Sequence, residues 1–247
     1  MISIEKLTKT YGSKSIITNW HFTFENGKIY GLIGRNGIGK TTILKCMSGF
    51  CEADALKLST DVGDVSDRDY LMRNIYYVSD EPVYYNDLTL KEHLWLICKI
   101  ENYQKDEAER KINELLRHFH MAEYLNYYPT AMSKGTLQRM MIMIAFLRQD
   151  ENLLFDEPFN GLDPVQLQQA LVYCVQEKAK HCMIISSHDI ESLEEICDEF
   201  LIFKPNEIVS VTGKIDREHV NRMIGESYGL QVYFCWEWDA FLITAFT

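Results

Sequence analysis

The chain of 247 residues has no uninterrupted apolar run that reaches the roughly 18 residues a membrane-spanning helix needs. It also lacks the charged-then-apolar opening of a secretory signal peptide. We therefore expect a cytosolic protein that reaches a membrane only through partner proteins.

Basic residues are in the minority. Lysine and arginine number 25 against 36 aspartates and glutamates, which gives a formal net charge of -11 at pH 7. Wrapping the polyanionic backbone of a nucleic acid requires a basic surface. The composition therefore argues against nucleic acid as the main partner.

Paired cysteine motifs are absent. The seven cysteines are odd in number and contain no Cys-x-x-Cys pair. They are Cys46, Cys51, Cys98, Cys174, Cys182, Cys197 and Cys235. This pattern favours reduced thiols in the core over disulfides or metal ligands.

A glycine-rich stretch has the spacing of a phosphate-binding loop, G-x-x-x-x-G-K-[ST]. Its residues are Gly34, Arg35, Asn36, Gly37, Ile38, Gly39, Lys40, Thr41 and Thr42. Glycines let the backbone aim N–H groups at phosphate oxygens, and the helix that follows adds its partial positive N-terminus. An ordinary strand-to-helix turn is the alternative. The apolar run before the loop and the helical segment after it favour nucleotide binding, with Lys40 on the β- and γ-phosphates.

A buried strand over residues 152–155 delivers two adjacent carboxylates to the same edge of a predicted sheet. We expect Asp156 to hold Mg²⁺ together with the Thr41 hydroxyl, and Glu157 to orient or deprotonate an attacking water. His188 follows a second buried strand and is placed to touch the γ-phosphate. Alone, these groups would suggest a helix cap and a structural histidine.

Hydrophobic periodicity divides the rest of the chain. Residues 1–33 alternate as strands joined by hairpins, with Tyr11 in the loop between the first two strands. Residues 51–74 are acidic and weakly periodic, which predicts a surface connection with at most one weak strand. A strand over residues 75–78 leads into Asp80. Residues 89–147 have a helical period, with a capping box at its start and Ser133 capping its third helix.

Taken in order, these motifs resemble the nucleotide-binding subunit of an ATP-binding cassette (ABC) transporter over residues 1–214. The phosphate loop matches Walker A, and residues 153–157 match Walker B with its catalytic glutamate. Residues 132–139 match the signature motif, in which Ser133 and Gly135 are the family's contact residues. Asp163 belongs to a D-loop, His188 is similar to the switch histidine, and Tyr11 is similar to the adenine-stacking aromatic.

The resemblance implies an α/β fold: a RecA-like P-loop NTPase core with an antiparallel β subdomain and a helical subdomain inserted at about residues 89–147. Residues 215–247 would form a C-terminal extension without a motif. It further implies two cassettes that sandwich two ATP molecules with Mg²⁺. Ser133 and Gly135 of one cassette would then face the γ-phosphate bound by the other, in a homo- or heterodimer.

The resemblance also implies separate transmembrane permease subunits, which the cassette drives through its surface near residues 80–88 from the inner face of the cell membrane. Three positions depart from the family pattern. Asp80 stands where the family has the Q-loop glutamine, and Lys134 and Thr136 replace a glycine and a glutamine of the signature. Within the family, the Lys-Gly variant is similar to exporters, including peptide-antibiotic immunity systems, so we expect export.

Two other functions fit parts of the pattern. A soluble ABC ATPase acting on ribosomes or DNA would usually carry two cassettes or long coiled coils, whereas this chain has one cassette and no heptads. An ATP-binding regulatory partner with weak hydrolysis would suit Asp80 and the altered signature. Glu157 and His188 argue against the latter.

Overall fold

The computed structural model describes residues 1–61, 63–65, 67–188, 190–205, 207–213, 220 and 222–223. Its strands are β1 (Ile2–Tyr11), β2 (Lys14–Phe24), β3 (Ile29–Ile33), β4 (Ala55–Thr60), β5 (Gly63–Asp64), β6 (Ile75–Val78), β7 (Asn152–Asp156), β8 (Cys182–Ser187), β9 (Glu199–Lys204) and β10 (Glu207–Thr212). Its helices are α1 (Lys40–Met47), α2 (Arg68–Asn74), α3 (Leu90–Ile100), α4 (Lys105–His118), α5 (Lys134–Leu147), α6 (Pro164–Glu177) and α7 (Ile190–Glu194).

A six-stranded sheet in the order β10-β9-β3-β8-β7-β6 carries the core. Its strands run parallel except β10, which pairs antiparallel with β9 at one edge. Every residue of β3, β7 and β8 is buried, as expected for strands covered on both faces. Because these strands are parallel, their carboxyl ends meet at one edge, where α/β proteins bind ligands.

A separate four-stranded antiparallel sheet, β2-β1-β4-β5, is built mainly from the start of the chain. The hairpin-rich opening predicted from the alternating pattern is present, and β1 pairs with β2 along its length. Phe24 of β2 and Tyr30 of β3 pack edge to face with ring centroids 4.9 Å apart, which joins the two sheets.

The prediction of a surface connection over residues 51–74 was wrong. This stretch contains β4, β5 and α2. Leu58 of β4 lies opposite Ile4 of β1 and is fully buried, so tertiary pairing stabilises a strand that local periodicity did not reveal. The Asp67 carboxylate accepts a hydrogen bond from the Tyr70 amide and caps α2.

Helices α3, α4 and α5 lie in sequence between β6 and β7. The predicted capping box is confirmed: the Thr89 hydroxyl accepts from the Glu92 amide, and the Glu92 carboxylate accepts from the Thr89 amide. The buried face of α5, which includes Met140 and Met143, belongs to the main hydrophobic core. This helical stretch matches the expected insertion, and its status as a separate subdomain stays a prediction.

Arg148 connects the helical stretch to the sheet. Its Nε lies 3.1 Å from an oxygen of Glu101, just after α3, and 2.8 Å from an oxygen of Asp150, just before β7. Its guanidinium also lies over the ring of Tyr76 on β6, 4.9 Å from the centroid. The position of the helices relative to β6 and β7 therefore depends on a mostly buried ion cluster.

Six of the seven cysteines fall in the described parts of the chain, and these six are free thiols. Of the predicted C-terminal extension over residues 215–247, only Val220, Arg222 and Met223 are described, and all three are helical. Within the described residues, no helix is both long enough and apolar enough to cross a membrane.

Candidate active site

The glycine-rich loop connects the end of β3 to the start of α1. Gly37 and Gly39 have φ angles of +75° and +125°, in the left-handed region that favours glycine. A Cβ on Gly39 would lie 2.5 Å from the Ile16 side chain, so this position has neither the backbone freedom nor the space for another residue. The loop is therefore fixed by its glycines and ends at the N-terminus of α1.

Lys40, the first residue of α1, lies inside the loop. Its ammonium donates a hydrogen bond to the Gly34 carbonyl at 2.7 Å and lies 3.7 Å from a carboxylate oxygen of Glu157. Burial lowers the pKa of Lys40, and the negative charges of Glu157 and Asp156 partly offset that effect. The site thus holds a buried cation that faces two acids.

Asp156 ends β7 and accepts hydrogen bonds from three hydroxyl groups. Thr41 and Ser186 donate to Oδ1 at 3.0 and 2.7 Å, and Tyr77 donates to Oδ2 at 3.0 Å. Its side chain is buried, so these donors supply the contacts that water would otherwise make. The neighbouring oxygens of Thr41 and Asp156 are the hard ligands that Mg²⁺ prefers.

Glu157 follows at the sheet edge in a left-handed conformation, with φ of +49°. Such a backbone costs a non-glycine residue roughly 1–3 kcal/mol and often marks a functional position. One carboxylate oxygen, Oε2, lies 2.9 Å from His188 Nδ1 and 3.3 Å from the His188 amide. Glu157 therefore contacts the predicted histidine through Oε2 and approaches Lys40 through Oε1.

A cavity of about 330 Å³ opens over this edge. It is lined by Ile16, Arg35, Asn36, Gly37, Gly39, Lys40, Thr41, Thr42, Asp80, Glu157, Asn160 and His188. Ten of these twelve positions are predicted site residues. Asp80 accepts a hydrogen bond from Asn160 Nδ2 at 3.3 Å, which places the departure from the Q-loop pattern at the rim of the cavity.

Gly34 and Ile38 belong to the loop and do not line the cavity. A Cβ on Gly34 would lie 2.8 Å from Cβ of Phe203, so close packing against β9 requires glycine there. Ile38 packs against the core formed with the antiparallel sheet. Gly34 and Ile38 therefore support the loop from the side that does not face the cavity.

Tyr11 is not among the residues that line the cavity, but its hydroxyl interacts with the side chain of Thr42, which does line it. It is the last residue of β1, paired with Lys14, and not part of the loop between β1 and β2, because the hairpin pairing extends to its end. Its hydroxyl lies 3.5 Å from the Cys51 thiol, and half of its surface is exposed. Adenine stacking by Tyr11 stays a prediction.

The signature and D-loop residues do not reach the cavity of their own chain. The Ser133 hydroxyl accepts a hydrogen bond from the Thr136 amide and caps α5, and Asp163 caps α6. A Cβ on Gly135 would lie 2.5 Å from the carbonyl oxygen of Gly161. Ser133, Gly135 and Asp163 therefore each have a structural role within their own chain. Their contact with the ATP of a partner stays a prediction.

Four residues that line the cavity or hold its carboxylates were not predicted from the motifs: Ile16, Tyr77, Asn160 and Ser186. Ser186 is the next-to-last residue of the buried strand β8, and a polar residue near the end of such a strand is a usable signal in the sequence. Tyr77 lies within the predicted strand over residues 75–78, and nothing in that run indicates that its hydroxyl meets Asp156. Ile16 and Asn160 come together with the loop only through the fold.

Comparisons with known proteins agree with this geometry. A family model described as ABC transporter matches residues 17–160. The ABC-type transporter ATP-binding protein EcsA of Bacillus subtilis is 34% identical over 213 residues, covering 84% of this chain and 85% of the relative. This chain belongs to the ABC transporter family of ATP-binding proteins. The resemblance inferred from its motifs is confirmed.

Solved structures support the fold of this ABC protein. The ATP-binding subunit of an ABC transporter matches with a TM-score of 0.79 and 30% identity, covering 92% of this chain and 95% of that one. A bacterial ABC transporter cassette solved as a dimer matches with a TM-score of 0.75 and 21% identity, covering 86% and 98%. The mixed α/β, RecA-like P-loop fold is confirmed, and the chain is an ABC-type ATPase that binds ATP.

Replacing Lys40 with alanine removes the buried cation of the ABC site. We expect the Kd for ATP to rise at least about tenfold, because a hydrogen bond to a charged group contributes about 1.5–3 kcal/mol. Lys45→Ala on the same helix is the matched control and should keep the wild-type Kd. Fluorescence titration with a labelled ATP measures both variants; equal affinity in Lys40→Ala would remove Lys40 from the binding site.

Proposed function

We propose that this ABC ATP-binding subunit hydrolyses ATP by in-line attack of water on the γ-phosphate in the cavity between the glycine-rich loop and β7. The observation that carries the proposal is the approach of Lys40 and Glu157 to 3.7 Å at one rim of that cavity. A cation for the transferring phosphoryl group and a base for the water then face the same point.

Each residue of the site has a separate role in the proposed hydrolysis. Backbone amides of the loop from residue 34 to residue 39 bind phosphate oxygens, and Lys40 neutralises charge on the β- and γ-phosphates. Glu157 positions the attacking water and accepts its proton. His188 is linked to Glu157 at 2.9 Å, orients that carboxylate and contacts the γ-phosphate.

Mg²⁺ fits the oxygens of Thr41 and Asp156. These atoms already lie 3.0 Å apart, and both are hard oxygen donors. The ion usually takes only one or two protein ligands and completes its shell with phosphate oxygens and water. When bound, it supplies charge neutralisation at the phosphates.

We further propose that two cassettes act together. The N-terminus of α5, capped by Ser133, carries a partial positive charge, and neither Ser133 nor Gly135 lines the cavity of its own chain. A second cassette placed head to tail would bring its ATP to Ser133 and Gly135. A bacterial cassette with the same fold was solved as a dimer, which supports the pairing of two cassettes.

Transmembrane permease subunits are the proposed partners, which places the cassette at the cytoplasmic face of the membrane. Val83 and Tyr85 are 72% and 65% exposed on the segment after Asp80, and Tyr127 and Tyr128 are each 49% exposed. The Leu90 amide donates to the Tyr127 carbonyl, so the two segments are adjacent. We call the surface formed by Val83, Tyr85, Tyr127 and Tyr128 the aromatic surface, after its three tyrosines. Exposed apolar groups of this kind are typical of protein interfaces.

Export is the proposed direction, and it depends on the Lys134-Gly135 variant of the signature. The matched relatives include proteins described as transporter ATP-binding proteins, which favours a transport role over a soluble ABC ATPase that works outside transport.

Glu157→Gln tests the hydrolytic assignment. It keeps the size of the side chain and removes the base, so we expect turnover to fall at least about 100-fold with the Kd for ATP unchanged within about threefold. Gel filtration with ATP should show the variant accumulating as a dimer. Glu151→Gln at the opposite end of β7 is the control. Normal turnover in Glu157→Gln would remove the assignment.

Val83→Lys combined with Tyr85→Lys tests the aromatic surface. Two new charges in a buried interface oppose docking, so we expect the share of the chain recovered with membranes of its native host to fall at least about fivefold. The double control is Val172→Lys with Val175→Lys on the exposed face of α6. Unchanged membrane recovery of the first variant would place the permease contact elsewhere.

A further inference from the structure

Two hydroxyl groups outside the ABC motifs hold the carboxylate of Asp156. Tyr77 on β6 donates to one oxygen of Asp156 at 3.0 Å, and Ser186 on β8 donates to the other at 2.7 Å. Together with Thr41, they occupy both oxygens of this side chain. The orientation of the Asp156 carboxylate is therefore set from both neighbouring strands.

The register of the parallel sheet explains why these hydroxyls meet Asp156. Ser186 pairs directly with Asp156 across β7 and β8. Tyr77 pairs with Leu154, two residues before Asp156, so Tyr77 lies beside the same face of β7. Both donors are fixed by strand pairing, and neither depends on a mobile loop.

Burial makes these contacts consequential. Asp156 and Ser186 are 2% and 0% exposed, so a lost hydroxyl is not replaced easily by solvent. Phe50 packs on the Tyr77 ring, with centroids 5.4 Å apart.

Ser186 also holds the backbone of Glu157. Its hydroxyl oxygen accepts a hydrogen bond from the Glu157 amide at 3.0 Å, and its carbonyl accepts from the same amide at 3.2 Å. That amide belongs to the residue with φ of +49°. One serine thus donates to the first carboxylate and stabilises the unusual backbone that aims the second.

We propose that Ser186 and Tyr77 are positioning residues for ATP hydrolysis: they hold Asp156 and Glu157 in the arrangement that the reaction needs, without touching the nucleotide. The inference rests on the proposed function of the two carboxylates. It assigns to two residues outside the ABC motifs a share of the catalytic geometry.

Ser186→Ala and Tyr77→Phe each remove one hydroxyl, and Tyr77→Phe keeps the ring that contacts Phe50. Loss of a hydrogen bond that orients a ligand side chain typically lowers activity or metal affinity about 10- to 100-fold. We expect kcat to fall at least about tenfold in each variant, with the Kd for ATP in EDTA within about twofold of wild type because the loop is untouched.

A second measurement does not depend on turnover. Mn²⁺ titrated into the chain with a non-hydrolysable ATP analogue, followed by electron paramagnetic resonance, reports the metal affinity directly. We expect the Kd for Mn²⁺ to rise at least about tenfold in both variants. This shift would not follow from a general loss of packing.

Matched controls remove the same groups elsewhere. Ser48→Ala deletes a buried hydroxyl that donates to the Leu44 carbonyl at 2.8 Å, and Tyr76→Phe deletes one on the opposite face of β6. Both should keep wild-type kcat and Mn²⁺ affinity. Wild-type values in Ser186→Ala and Tyr77→Phe, or equal losses in the controls, would overturn the inference.

The outcomes separate the inference from the function beneath it. If the wild-type chain hydrolyses ATP and the Ser186 and Tyr77 variants hydrolyse it equally well, positioning fails while the proposed function stands. If the wild-type chain neither hydrolyses ATP nor binds Mn²⁺ with the analogue, the proposed function fails first. Should Ser186→Ala not fold by circular dichroism, Tyr77→Phe still tests positioning, because it removes one hydroxyl and keeps the ring that contacts Phe50.

Discussion

A buried ammonium group that faces two carboxylates across the end of a parallel sheet is the interaction on which this molecule depends. Lys40 lies 3.7 Å from Glu157, and the charge of Asp156 acts on it as well. A buried cation is costly unless acids or a ligand offset its charge. The glycine loop, the order of β3, β8 and β7, and the strained backbone of Glu157 together place these charges.

Neutral hydroxyl groups also hold the charged site in place. Asp156 is surrounded by donors from α1, β6 and β8, so four elements meet at one carboxylate. The same strand β6 that contributes Tyr77 leads three residues later to Asp80 at the cavity rim, and then to the aromatic surface. One continuous segment therefore joins the carboxylate site to the surface proposed for membrane partners.

The motifs made much of the site predictable, because chemistry constrains their sequence directly. A phosphate loop needs its glycines, lysine and threonine at fixed spacing. The buried strand before Asp156 and Glu157 can be predicted from its apolar residues alone. Strand β4 was predicted as a weak strand at most, because Leu58 is buried by pairing with β1 and not by a local alternating pattern. The role of the Tyr77 hydroxyl was not predicted for the same reason: its partner is set by the register between β6 and β7, whose paired residues lie 77 positions apart in sequence.

A structure of the chain bound to MgATP tests the central claim most directly. The account predicts that Lys40 Nζ leaves the Gly34 carbonyl for the β- and γ-phosphate oxygens, and that Glu157 lies beside the γ-phosphate within reach of one water molecule. Thr41 and Asp156 should lie at the metal. A triphosphate bound elsewhere, or Lys40 still bonded to Gly34 with the phosphates out of its reach, would contradict the account.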